Sequence, residues 1–83
     1  MKEQIKAFIV ENFLFGKDEG LNDDSSFLEE GIIDSTGILE LVSFMEEEFS
    51  ISIDDEELIP ENLDSINNVV AYLERKISSP QSH

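Results

Sequence analysis

The chain contains no cysteine, which removes disulfides, thiolate catalysis and thiolate metal ligation together. Its single histidine is His83, the last residue of the sequence, so a histidine-based acid/base or nucleophile-activating pair is not expected. No apolar run approaches the roughly 18 residues that cross a bilayer, and Met1-Lys2-Glu3-Gln4 lacks the apolar segment of a secretory signal. A cytoplasmic protein is the expectation. Basic residues are scarce: Lys2, Lys6, Lys17, Arg75 and Lys76 stand against twenty acids, for a formal net charge of −15.

The distribution of that charge says more than its total. From Asp18 to Glu74 there are eighteen acids and no base. Such a field repels nucleic acid phosphates and anionic membrane, and it speeds encounter with basic protein surfaces. It also strains a folded chain by self-repulsion, and heavy like charge favours a monomer. With 83 residues, 40% of them hydrophobic, one small domain with a thin core is expected, burying about 60% of its unfolded surface.

Apolar periodicity places the elements. Ile5, Phe8, Ile9 and Phe13 lie at offsets of three, four and eight, which predicts a helix from about Lys2 to Phe15 that stops at Gly16. Val10 and Leu14 widen its stripe. Residues 16–34, rich in Gly, Asn, Asp and Ser, read as a long loop pinned to the core by Phe27, Leu28, Ile32 and Ile33. Ser25 or Ser26 followed by Glu29 or Glu30 suggests a local helical turn. A second helix starts at Asp34-Ser35 and runs to Phe49, with Ile38, Leu41, Val42, Met45 and Phe49 as its stripe. The acidic run Glu46-Glu47-Glu48 sits at the wrong end of that helix for its dipole.

Ser50 to Ile53 reads as an extended connection that buries Ile53. Asp54 caps a short third helix limited by Pro60. A fourth helix starts at Asp64-Ser65 and turns Ile66, Val69, Val70, Leu73 and Ile77 inward. The expected architecture is all-α: a four-helix bundle, three helices longer and one short, with a long first loop. The expected domain spans residues 1–77, with a disordered tail over 78–83.

No glycine-rich phosphate cradle, HExxH motif or nucleophile elbow is present. Asp23-Asp24 and Asp54-Asp55-Glu56-Glu57 lack the alternating ligands and central glycine of an EF-hand loop, so no metal site is expected. Exposed carboxylates make poor general acids, and no catalytic residue is assigned. The informative stretch is Gly31-Ile32-Ile33-Asp34-Ser35-Thr36-Gly37-Ile38-Leu39-Glu40-Leu41-Val42. A serine behind an aspartate at a helix start holds a hydroxyl on a fixed backbone, and a phosphate esterified to it would lie beside free helix amides. The same dipeptide also serves as a plain N-cap.

Taken together, Asp34-Ser35, Leu41-Val42, Glu46-Glu47-Glu48-Phe49, Ile53-Asp54-Asp55-Glu56-Glu57 and Asn62-Leu63-Asp64-Ser65-Ile66 resemble the acyl carrier protein family over residues 3 to 77. The resemblance implies a four-helix carrier whose serine, here Ser35, accepts 4′-phosphopantetheine from coenzyme A. Asp34 would help position the metal ion and coenzyme A in the active site of a phosphopantetheinyl transferase. The arm brings the thiol that the chain lacks, and that thiol holds an acyl or aminoacyl group as a thioester. Further partners implied are an acyl- or aminoacyl-activating ligase and downstream synthases. Thr36, Leu39, Glu40, Ser43 and Glu47 lie off the core stripe of the second helix and are the expected partner face, with Leu39 either its apolar contact or a flank of the core.

Many family members have Leu after the Asp-Ser pair, where this chain has Thr36-Gly37. Thr36 weakens an apolar contact, and Gly37 costs about 1 kcal/mol of helix propensity relative to Ala, suggesting a pliable first turn. Both point away from a generalist fatty-acid role. The expectation is a non-enzymatic, freestanding carrier for a specialised biosynthetic pathway. The alternative is an unmodified acidic helical adaptor that binds basic proteins.

Overall fold

A computed structural model describes residues 1–16 and 21–78, the side chain of Ser78 excepted. Four helices follow in order: α1 (Lys2–Phe13), α2 (Ser35–Phe49), α3 (Pro60–Leu63) and α4 (Ile66–Ser78), with a 3₁₀ turn over Asp55–Glu57 before α3. The architecture is the all-α bundle that the periodicity predicts. Ile5 and Ile9 of α1, Leu41, Val42 and Met45 of α2, Leu63 of α3, and Ile66, Val69, Tyr72 and Leu73 of α4 form one buried core. Leu21, Phe27 and Ile33 complete it from the first loop. Full burial of such side chains contributes about 1.5–3 kcal/mol each. The loop residues are part of the core rather than a cover for it.

Register between α1 and α2 is antiparallel and can be read from three contacts. Phe13 lies on Gly37, Phe8 stacks on Phe44 with ring centroids 4.3 Å apart, and Gln4 donates from Nε2 to Glu48 Oε2 at 2.9 Å. Positions 37, 41, 44 and 48 therefore face α1, at the spacing of one helix face. Phe8 also meets Phe13 edge-on at 5.9 Å, and Phe44 meets Phe49 likewise at 6.4 Å. Phe44 was not part of the predicted stripe; it flanks the stripe on the side that α1 covers.

The first loop is tied down by hydrogen bonds between its residues 23–28 and Asp64 and Asn67. Ser26 Oγ donates to Asp64, Leu28 N–H donates to Asp64 Oδ1 at 3.0 Å, and Phe27 N–H to the Asp64 carbonyl at 2.7 Å. Asn67 N–H donates to the Asp23 carbonyl at 2.9 Å. The expected local turn is present: Ser26 Oγ accepts from Glu29 N–H at 3.2 Å. Phe27 and Ile33 are buried as expected and Ile32 is half-buried, but Leu28 is 45% exposed.

Other boundaries shift for identifiable reasons. α1 ends at Phe13, and Gly16, in the left-handed region, returns its N–H to the Val10 carbonyl at 2.9 Å. Asp54 does cap the 3₁₀ turn, in a reciprocal box with Glu57. Pro60 then opens a further helical turn instead of closing one, since its missing N–H is no loss at a first helical position. Asp64 is turned to the loop, and Ser65 takes the cap role at α4, accepting from Asn68 N–H at 3.1 Å. Ile53 is only half-buried. Ile77, expected inside, is 49% exposed near the end of α4. α4 includes Ser78; the rest of the expected tail lies outside the described residues.

Candidate functional site

Asp34 has extended backbone angles (φ −92°, ψ −177°) and breaks the chain direction just before α2. Its Oδ1 accepts from Gly37 N–H at 2.7 Å, and its carbonyl accepts from Ile38 N–H at 3.0 Å. These two bonds define a closed N-cap. Helix geometry leaves the first-turn N–H groups of Ser35 and Thr36 without intrahelical acceptors. Ser35, the first residue of α2, is exposed. Its neighbour Ile33 is buried, so an exposed hydroxyl is carried on an anchored backbone.

Ser35 borders a cleft of about 290 Å³ between the first loop, α2 and the segment leading into α3. Its walls are mainly apolar: Leu28 from the loop, Ile38 and Leu39 from α2, and Leu58, Ile59 and Leu63 from across the gap. Leu28, Leu39 and Ile59 are 45%, 57% and 42% exposed, which forms a greasy rim open to solvent beside the hydroxyl. Sequence periodicity alone missed this cleft, because Leu58 and Ile59 lie outside every regular apolar stripe. A second, more open hollow lies on the other side of the helix start, bordered by Asp34, Thr36, Gly37 and Glu40 with Asn12 and Phe13 of α1.

The five residues expected on the partner face are all exposed: Thr36, Leu39, Glu40, Ser43 and Glu47. Glu46 is different. It is half-buried and accepts from Ile53 N–H at 2.9 Å, closing the connection after α2. The acidic end of α2 thus has a local structural use that dipole considerations had not supplied. Among the described residues no group of three or more His, Cys, Asp or Glu is placed to hold a metal ion. No helix among them is long and apolar enough to cross a membrane.

A small acidic bundle that presents an anchored serine at a helix start, beside an apolar cleft, has the form of a carrier domain. Comparison with known proteins specifies which kind. The family described as "Phosphopantetheine attachment site" matches residues 7–73. A probable acyl carrier protein, PigG, of Serratia sp. is 33% identical over 81 residues, covering 98% of this chain and 93% of the relative. The acyl carrier proteins of Helicobacter hepaticus and Bdellovibrio bacteriovorus are 40% and 38% identical, covering 87% and 88% of this chain and 91% and 90% of their own. The chain belongs to the acyl carrier protein family, whose prosthetic group is 4′-phosphopantetheine. Members of the family are carriers that meet a phosphopantetheinyl transferase and synthetic enzymes.

Proposed function

We propose that Ser35 is the attachment residue for 4′-phosphopantetheine, and that the protein shuttles acyl or aminoacyl groups between enzymes of a specialised biosynthetic pathway without itself catalysing a reaction. The observation that carries this is the exposed Ser35 hydroxyl at the start of α2, beside the apolar cleft. The residues present fit the group. A phosphodiester on Ser35 would lie at the positive end of α2, worth about 0.3–1 kcal/mol, near the first-turn amides. The cleft offers the arm and its cargo an apolar wall. When bound, the arm supplies the thiol on which acyl groups are held as thioesters.

This chain's own contribution is presentation. Asp34 fixes the first turn through its cap, and its exposed carboxylate is available to the transferase for positioning metal and coenzyme A. Leu39, with Thr36 and Ser43, supplies an exposed apolar and small-residue surface around which Glu40 and Glu47 select basic partner surfaces. Single rim charges of this kind act on association rate more than on affinity. The ligase and synthase partners are those that handle the particular cargo, and Thr36-Gly37 supports a dedicated set of them.

Incubation with coenzyme A, Mg²⁺ and a broad-specificity phosphopantetheinyl transferase should add one arm, seen by intact mass. Ser35→Ala should abolish the addition while leaving the helical fold intact. An unchanged wild-type mass, under conditions where the same transferase modifies another carrier, would leave the acidic adaptor as the better reading.

A further inference from the structure

Gly37 is buried in the third position of α2, at the crossing of α1 and α2. Its backbone is helical and not in the left-handed region, so conformation does not demand glycine there. By helix propensity alone alanine would be preferred. Space is what demands it. A Cβ at position 37 would lie 2.7 Å from Ile33 Cγ2 and 2.8 Å from Phe13 Cε1, well inside contact distance, and 3.3 Å from Asp34 Oδ1.

Each of the two close neighbours is held by further packing. Ile33 is buried, and its Cγ2 belongs to a β-branched side chain with restricted χ1. Phe13 is a rigid ring held edge-on by Phe8, which is itself stacked on Phe44. Ile33 is two residues before Ser35, and Asp34 lies between them. Whatever moves Ile33 therefore moves the start of α2 and the cap bond between Asp34 and the amide at position 37.

We propose that Gly37 is a positioning residue for the modification of Ser35: its missing side chain lets Phe13 and Ile33 clamp the first turn of α2, holding the Ser35 hydroxyl and the Asp34 carboxylate in one fixed relation. The inference rests on Ser35 being the attachment residue. It gives Gly37 a role beyond its unfavourable helix propensity, and it makes α1, which does not border Ser35, part of the apparatus that presents it.

The test compares transfer of the arm from coenzyme A to the wild-type chain and to Gly37→Ala, Phe13→Leu and Val69→Ala. Val69 is buried in α4, so its truncation loosens the core at a residue outside α1, α2 and the cap. At a temperature where all chains are folded, Gly37→Ala should lower kcat about tenfold or more, as a small misplacement of a reacting group does. KM should change far less. Phe13→Leu, which keeps the glycine and removes the ring from it, should lower kcat more modestly. In both, hydrogen exchange of the amides at positions 37 and 38 should accelerate in the unmodified chain. Val69→Ala should keep the wild-type kcat despite its lower melting temperature.

Wild-type kcat for Gly37→Ala, or an equal loss in Val69→Ala, would overturn the inference while leaving the attachment at Ser35 standing. If Gly37→Ala does not fold, Phe13→Leu decides: unchanged kcat and unchanged exchange would overturn it. A wild-type chain that takes no arm from a transferase active on another carrier would remove the attachment reading and this inference with it.

Discussion

At Asp34 one carboxylate closes the cap of α2 and, on the function proposed above, also offers its charge to the transferase, and substitution can separate the two. Its Oδ1 closes the cap of α2 on Gly37 N–H at 2.7 Å, a bond that asparagine's amide oxygen can also make. Asp34→Ala should cost about 1 kcal/mol of stability, read from urea unfolding, whereas Asp34→Asn should cost only a few tenths. If the charge is used by the transferase, both variants should be modified slowly at Ser35. Full-rate modification of Asp34→Asn would reduce Asp34 to a cap. The charge and the hydrogen bond sit in the same three atoms, which is why the dipeptide alone left its purpose open.

The segment from Asp54 to Leu63 is tied to α4 through Glu57. Glu57 Oε1 accepts from Asp54 N–H at 3.0 Å, Tyr72 OH at 3.0 Å and Lys76 Nζ at 2.6 Å. Burial alone would raise the Glu57 pKa, but the bonds from Lys76, the Asp54 backbone and Tyr72 outweigh it and hold the carboxyl below its ordinary value. Burial, reinforced by the neighbouring Glu57, pushes the Tyr72 hydroxyl the other way, well above its usual range, so it remains a donor.

A lowered folded pKa stabilises fully above the unfolded value of about 4.3, and the contribution is lost as pH falls through the folded value. Glu57→Gln should therefore lower stability by about 1–2 kcal/mol at pH 7. The gap to wild type should narrow only below about pH 4.5, as both chains approach the protonated limit. Urea midpoints from pH 7 to pH 3 would show this, and a gap that stays constant throughout would contradict it. Since Ile59, Pro60 and Leu63 line the Ser35 cleft, this network also sets the far wall of that cleft.

For the molecule as a whole, repulsion is the dominant electrostatic fact. Net charge is −15, and the ion pairs formed by Lys2 with Asp23 and Lys76 with Glu57, both at 2.6 Å, draw their cations from the two ends of the chain. Most of the long acidic middle is left to hydrogen bonds, solvent and salt. Raising ionic strength from about 0.01 M to 0.1 M shortens the screening length from about 30 Å to about 10 Å, less than the distance across the domain. The melting temperature should rise by several degrees, since about 1 kcal/mol corresponds to roughly 4–8 °C at this size. Mg²⁺ should act at lower concentration than Na⁺. A flat response to both salts would rule out strong self-repulsion.

The long helices were legible because each must turn one stripe away from water. The 3.6-residue period that does so is a property of the single element, visible in Ile5-Ile9, Leu41-Met45 and Ile66-Leu73 alike. The Asp34-Ser35 start of α2 was legible for a similar reason, since cap and first turn are neighbours in sequence. Contacts between elements were not. Gly37 looked like a weak helix residue until Phe13 was brought against it, Phe44 lay outside the stripe until α1 covered it, and Asp64 looked like the start of a helix until the first loop arrived to donate to it. Periodicity specifies which side of an element is apolar, but not how far a neighbour slides along it or at what distance it stops. That choice depends on simultaneous packing of side chains far apart in sequence, and here it built both walls of the cleft and the clamp behind Ser35.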